Sequence, residues 1–227
     1  AEASVEEWAS ALPIKDLPSL PSRGVGYWAE PWCGICTVLG ISALLIGLTS
    51  TIVSDGVTNG TVRQLLVSAI WTWAAIAALG TSYIILGGAG EIARSPDTCY
   101  PIPGEVAQRL VSSQSLDGMK NVDGPQGSTY CVRCLVWRPS SRVSGKSHHC
   151  NTCQRCVTGF DHHCGVFGRC IVDGNMPCFY AVITMFFMGA LTSIGSLFAC
   201  SNVSESGYYY TSPSPAAATS TAPVWIT

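Results

Sequence analysis

Between Cys131 and Cys170 the chain reads CVRCLVWRPSSRVSGKSHHCNTCQRCVTGFDHHCGVFGRC. These forty residues hold all four histidines of the chain and seven of its twelve cysteines. Imidazole nitrogen and thiolate sulfur are preferred zinc ligands in proteins, and a thiolate is also a nucleophile. Packing alone does not account for such a concentration. The stretch therefore predicts a zinc-binding module that also carries reactive thiol chemistry.

The spacing within this stretch fits two zinc sites. A CxxC pair supplies two sulfur atoms from one tight turn, and the stretch contains three such pairs. Six cysteines and two histidines make eight ligands, the number that two tetrahedral Cys₃His sites require. The predicted ligands are Cys131, Cys134, His149, Cys150, Cys153, Cys156, His163 and Cys170. Because the stretch has almost no apolar core of its own, bound metal would supply its folding free energy.

One cysteine of the stretch, Cys164, is left over from this count. It directly follows Asp161, His162 and His163, which is the setting of an activated nucleophile. If His163 binds zinc, His162 remains as a general base and Asp161 orients it. The alternative is that Cys164 is a further zinc ligand in a purely structural finger, because spacing does not fix the choice among adjacent residues.

Three uncharged apolar segments flank this stretch, and each exceeds the ~20 residues that cross a bilayer as a helix. Only 11% of all residues are charged, which is too few to cover the surface of a soluble protein and disfavours buried core helices. The predicted organisation is an N-terminal segment 1–32, transmembrane helices 33–53, 65–88 and 177–200, a connecting segment 89–130, a zinc domain 131–176 and a Ser/Thr/Pro-rich tail 201–227.

The basic residues predict the orientation of these helices. Nine of the twelve Lys and Arg residues lie between the second and third spans, Lys15 and Arg23 precede the first, and only Arg63 lies in the opposite loop. The positive-inside rule then places the N-terminus and the cysteine-rich loop in the cytosol, where thiols stay reduced. The net charge of −2 and the absence of a dense basic stripe argue against a nucleic-acid partner.

The motif Asp161-His162-His163-Cys164 gives this stretch a family resemblance. With the CxxC and HCxxCxxC elements upstream and Cys170 downstream, it resembles the cysteine-rich domain of the DHHC protein S-acyltransferases, or palmitoyltransferases. Further matches to that family are Arg138-Pro139, Asn175 and Phe179.

This resemblance implies an α-helical membrane protein in which two spans precede a small cytosolic zinc domain, rich in β-hairpins, and two follow it. Three spans are visible here, and the closing residues 223–227, PVWIT, could begin the fourth. The resemblance also implies the ligand sets. One zinc takes Cys131, Cys134, His149 and Cys156, and the other takes Cys150, Cys153, His163 and Cys170.

The family resemblance further implies a ping-pong transfer of a palmitoyl group from acyl-CoA to cysteines of membrane-associated proteins. Cys164 is then the acylated nucleophile, His162 the base and Asp161 its orienter. The acyl chain is expected to lie in an apolar cavity between the spans. The resemblance implies two Zn²⁺ ions as cofactors, acyl-CoA as substrate and membrane lipid as a partner. It also implies an endomembrane location with the loop facing the cytosol.

A different class of function remains open. Gly165-Val166 stands where the family usually has Pro-Trp, Arg169 replaces an Asn, and the segment between Pro139 and His148 is longer than usual. These departures also fit a catalytically silent, zinc-binding membrane subunit of a larger complex, which could then reside in a plastid or mitochondrial membrane.

Overall fold

The computed structural model describes residues 12–88 and 90–208. The first eleven residues of the predicted N-terminal segment, and residues 209–227 of the predicted tail, lie outside this range. The helices are α1 (Val25–Gly56), α2 (Gly60–Leu86), α3 (Pro96–Cys99), α4 (Gly104–Val111), α5 (Ser141–Ser144) and α6 (Met176–Tyr208), with 3-10 turns at Ile14–Asp16 and Pro125–Gly127. The strands are β1 (Val122–Asp123), β2 (Thr129–Cys131), β3 (Val136–Arg138), β4 (His148–Cys150), β5 (Arg155–Val157), β6 (Phe160–Cys164) and β7 (Arg169–Val172).

Three helices, α1, α2 and α6, are long and apolar enough to cross a membrane, which confirms the three predicted spans. Helix α1 begins at Val25, eight residues before the predicted span, and continues through Pro31. The side chain of Asn59 caps α2 by accepting hydrogen bonds from the amides of Thr61 and Val62 at 3.0 and 3.2 Å. Helix α6 extends to Tyr208, so the first eight residues of the predicted tail are helical.

The three long helices pack against one another through small and hydroxyl side chains. The buried hydroxyls of Thr49 in α1 and Ser193 in α6 hydrogen-bond at 2.9 Å, and the indole of Trp73 in α2 donates to Thr192. A Cβ at Gly80 would lie 2.8 Å from Val182, so α2 and α6 approach closely there. The space left around Leu45, Ile70 and Met185 is only about 10 Å³, the room for about one water molecule. An acyl chain does not fit between the helices at this position.

The cysteine-rich region lies between α2 and α6, as predicted, and its strands form three small antiparallel sheets, in agreement with the expected β-hairpin-rich domain. Strands β1, β2 and β3 form one sheet, and β4–β5 and β6–β7 are two-stranded hairpins. Their registers pair His149 with Cys156 and His163 with Cys170. Each pairing brings together two side chains on one face of a hairpin.

The apolar core that this stretch lacks by itself is completed by neighbouring segments. Tyr130 of β2 and Leu135 of the turn between β2 and β3 are buried in one cluster with Val106 of α4 and Leu17 of the N-terminal segment. The N-terminal segment therefore lies on the same side of the long helices as the zinc domain. Hairpin β6–β7 packs on the helices themselves, because Ile171 is fully buried in a cluster with residues of α1, α2 and α6.

Candidate functional site

The first metal-type cluster joins the first sheet to hairpin β4–β5. It contains Cys131, Cys134, His149 and Cys156, all of them buried. The three sulfur atoms lie 3.6, 3.3 and 3.7 Å from His149 Nδ1, in that order. The turn after β2 is closed by the Leu135 amide, which donates to the Cys131 carbonyl at 2.7 Å, and Leu135 adopts a positive φ of 54°. This turn aims both of its sulfur atoms at the imidazole.

The second cluster joins hairpin β4–β5 to hairpin β6–β7. It contains Cys150, Cys153, His163 and Cys170. Their sulfur atoms lie 3.5, 3.5 and 3.8 Å from His163 Nδ1, and the Cys153 and Cys170 sulfurs are 3.6 Å apart. His149 and Cys150 are neighbours in β4 yet serve different clusters, since successive side chains of a strand point to opposite faces. These are the two ligand sets that the family resemblance implies.

Both clusters fit zinc by dimensions and by donor type. Tetrahedral coordination with Zn–S of ~2.3 Å and Zn–N of ~2.0–2.1 Å puts sulfur and nitrogen about 3.6 Å apart and two sulfurs about 3.8 Å apart. The sulfur–nitrogen distances of 3.3–3.8 Å bracket the first value, and the Cys153–Cys170 distance of 3.6 Å approaches the second. Two Cys₃His clusters that could each hold a zinc ion are thus present.

Crowding shifts the pKa values of several thiols in these clusters in opposite directions. A hydrogen bond with Cys134 lowers the pKa of Cys131 far below its usual value, whereas a hydrogen bond with Cys131 raises the pKa of Cys156 far above it. Hydrogen bonds with Cys131 and Cys134 also raise the pKa of His149 to about 9. A dication among the four groups would offset this mutual repulsion and favour three thiolates with a neutral imidazole.

The histidines of the two clusters differ in what their other ring nitrogen meets. His163 Nε2 lies 2.9 Å from the Glu30 carboxylate of α1. His149 Nε2 is buried and has no hydrogen-bond partner in the described part of the chain.

Cys164 belongs to neither cluster among the described residues. Alternation along β6 puts Cys164 and His162 on the face opposite to His163, about 6.6 Å apart at their Cα atoms. The Cys164 side chain is half-buried and packs against the apolar cluster that contains Phe167 and Val182. His162 Nδ1 lies 2.7 Å from the Asp161 carboxylate. A thiol, an imidazole and a carboxylate therefore follow one another at the base of the membrane-type helices.

Arg169 ties this thiol-bearing hairpin to two of those helices. It is the cross-strand partner of Cys164. Its Nε donates to the carbonyl of Ile85 at 3.0 Å, and its Nη1 donates to the carbonyl of Tyr27 at 2.9 Å. Its guanidinium also lies 3.9 Å from the centre of the Tyr27 ring. Sequence reasoning noted Arg169 only as a departure and missed Tyr27 and Glu30, which carry no motif.

A basic cavity of about 530 Å³ adjoins the first cluster. Two of the polar atoms there, Arg138 Nε and His149 Nε2, are buried without a hydrogen-bond partner among the described residues. Lys120, Arg133 and His148 also line it, and no carboxylate is among its described lining residues. Unpaired donors and uncompensated positive charge suit a bound anion.

Residues 125–221 match the family model described as DHHC palmitoyltransferase. The matched segment includes all eight cluster residues, Asp161 to Cys164, and α6. No curated protein matches the chain.

Proposed function

We propose, from the DHHC palmitoyltransferase domain that this chain contains, that the protein is a membrane S-acyltransferase that passes a long-chain acyl group from acyl-CoA to protein cysteines. The observation that carries the proposal is the position of Cys164. Its thiol is outside both Cys₃His clusters, shares a strand face with His162, and packs at the base of the membrane-type helices.

In the first half-reaction, Cys164 Sγ forms a bond to the thioester carbon of acyl-CoA, and His162 Nε2 takes the thiol proton. The carbon–sulfur bond to CoA then breaks, and the leaving thiolate receives the proton from His162. In the second half-reaction, the thiol of an acceptor protein gives its proton to His162 and attacks the acyl-Cys164 thioester. The Cys164 thiolate leaves and recovers that proton. Asp161 accepts the Nδ1 hydrogen of His162 throughout, which keeps Nε2 free for the proton.

The two Cys₃His clusters hold the nucleophile in place. Zinc, when bound, supplies folding free energy to a stretch whose strands are only three to five residues long. His163 immediately precedes Cys164, so a fixed His163 imidazole also fixes the backbone that carries the nucleophile.

The acyl chain is expected on the lipid-facing surface of α6, because the space between the helices around Leu45, Ile70 and Met185 is only about 10 Å³. His162 packs edge-on against Phe179 at the start of α6, with ring centres 5.4 Å apart. From there an exposed apolar stripe follows the helix at intervals of three to four residues: Tyr180, Ile183, Phe187, Leu191, Ile194 and Phe198. Each methylene of the chain that stays in lipid is worth about 0.8 kcal/mol.

The basic cavity beside the first cluster suits the phosphates of CoA. Its unpaired Arg138 and His149 donors, with Lys120 and Arg133, complement that negative charge. The distribution of basic residues supports a cytosolic zinc domain by the positive-inside rule. Eleven of the twelve Lys and Arg residues belong to the N-terminal segment and the region between α2 and α6, which lie on one side of the helices.

Incubation of the purified protein with radiolabelled palmitoyl-CoA tests this function. We expect a hydroxylamine-sensitive adduct on the wild-type chain, none on Cys164→Ser, and a rate about 10²-fold lower for His162→Ala. Cys33→Ser removes an exposed thiol of α1 and is the matched control, which should leave the adduct unchanged. A zinc-loaded protein whose Cys164 reacts with a thiol reagent but never acylates would instead support the silent subunit. The bare Gly165 and the 45% exposed Val166 beside the nucleophile are the observations that favour that candidate.

A further inference from the structure

We propose that Glu30 is a positioning residue for the second metal cluster and makes its zinc depend on helix α1. The inference rests on the zinc occupancy proposed above, but not on acyl transfer. Glu30 Oε2 lies 2.9 Å from His163 Nε2, and the two residues are 133 positions apart in the sequence. Their side chains are 32% and 16% exposed, respectively, so the contact is partly shielded from water.

The two ring nitrogens of His163 have different partners, the cluster sulfurs and the Glu30 carboxylate. Its Nδ1 faces the sulfur atoms of Cys150, Cys153 and Cys170 at 3.5–3.8 Å, so this nitrogen is the one available to a metal. A neutral imidazole that binds metal through Nδ1 carries its hydrogen on Nε2, which must then donate. Glu30 accepts that hydrogen, and a carboxylate in this position holds the ring orientation and raises the basicity of the ligating nitrogen.

The chain around Glu30 is fitted to hairpin β6–β7. Pro31 has no amide hydrogen, so it leaves the carbonyl of Tyr27, four residues earlier, without its helical partner. Arg169 donates to that carbonyl at 2.9 Å. On the hairpin side, Gly168 has a positive φ of 60°, and a Cβ there would lie 2.8 Å from the Glu30 Cβ. Backbone shape on both sides thus places the carboxylate, and Glu30 is not a freely rotating surface side chain.

The first cluster supplies an internal comparison. His149 Nε2 has no partner in the described part of the chain, and no residue of α1 belongs to that cluster. Loss of the Glu30 carboxylate should therefore weaken one of the two metal sites and leave the other unchanged.

The experiment measures the rate at which zinc passes from the full chain, purified in detergent, to a chromogenic chelator. No acyl-CoA is present. In Glu30→Ala, we expect one of two zinc ions to leave about 10–100-fold faster than in the wild type, while the other keeps its rate. Glu30→Gln has the same shape and keeps an acceptor, so it should fall between them. Glu91→Gln is the matched control, since it removes the negative charge that pairs with Arg23 at 3.0 Å just before α1, and Glu91 belongs to neither metal cluster. It should release both ions at the wild-type rates.

Cobalt substitution gives a second readout, because the d–d bands of Co²⁺ report the ligand field and its charge-transfer bands report the bound thiolates. Glu30→Ala should shift the bands of one Co²⁺ equivalent only. Wild-type release curves in both Glu30 variants, or equal acceleration of both ions, would overturn the inference. A wild-type chain that binds no zinc would refute the metal centres themselves. Normal acylation by the wild-type chain, together with unchanged zinc release from the Glu30 variants, would refute only the role proposed for Glu30.

Discussion

Replacing Arg169 should release hairpin β6–β7 from the long helices. Arg169→Ala removes two charge-assisted hydrogen bonds, to the carbonyls of Ile85 and Tyr27. Pro31 follows Tyr27 by four residues and has no amide hydrogen to offer its carbonyl, and Ile85 lies in the last turn of α2, where no further turn of the helix follows. At about 1.5 kcal/mol for each bond and ~0.5 kcal/mol for the stacking on Tyr27, the loss is about 3–4 kcal/mol.

Hydrogen exchange read by mass spectrometry measures this loss locally. At about 1.4 kcal/mol per tenfold, a 3 kcal/mol loss makes amides of residues 160–172 exchange about 100-fold faster. Arg155→Ala is the matched control, since Arg155 donates to Pro21 and lies on hairpin β4–β5 instead. Unchanged exchange in residues 160–172, or a uniform increase across the zinc domain, would show that Arg169 does not anchor the hairpin.

Three further changes test the packing and the topology. Gly34→Ala would place a Cβ 2.5 Å from the Val166 carbonyl, so we expect it to push α1 away from the hairpin and lower the free energy of unfolding by about 1–3 kcal/mol. Gly40→Ala is the control and should be neutral, because no described atom lies within 4 Å of a Cβ there. Equal melting temperatures of the two variants would contradict that contact. Cysteines introduced at Lys120 and Asn59 should be labelled from opposite sides of a sealed vesicle, and labelling of both from one side would refute the topology. The double change Gly165→Pro and Val166→Trp introduces the Pro-Trp that the family usually has. It should leave the zinc content unchanged and raise the acylation rate if the bare turn limits that rate. No increase in a protein that does acylate would show that the turn is not limiting.

Much of the candidate site was predictable because its signal is local in sequence. CxxC spacing reports two sulfur atoms on one turn, and strand alternation separates His162 from His163 without knowledge of the rest of the chain. The contacts of Glu30 and Arg169 were not predictable, since they join residues 133 and 142 positions apart and involve carbonyl groups that no side-chain pattern reveals.

The first helix begins eight residues before its predicted start, for a related reason. The predicted span was the uncharged apolar segment 33–53, yet α1 begins at Val25 and includes Glu30 and Pro31. A proline at the seventh residue of a helix removes one backbone hydrogen bond and leaves one carbonyl without its helical donor. Arg169 satisfies that carbonyl from another part of the chain, so the cost that normally ends a helix is removed by a tertiary contact.

Two of the departures from the family pattern, Gly165-Val166 and Arg169, lie in hairpin β6–β7 and offset one another physically. Gly165 and Val166 give the turn after the nucleophile little side chain with which to pack, and Gly165 has no described atom within 4 Å of a Cβ position. Arg169, four residues later and opposite Cys164 in the strand register, instead fixes the hairpin to α1 and α2 through backbone carbonyls. Glu30 adds a contact to the adjacent zinc ligand. Cys164, the proposed nucleophile, is thus held by polar contacts near the ends of α1 and α2, and removal of either contact should disturb Cys164 more than a change in the turn itself.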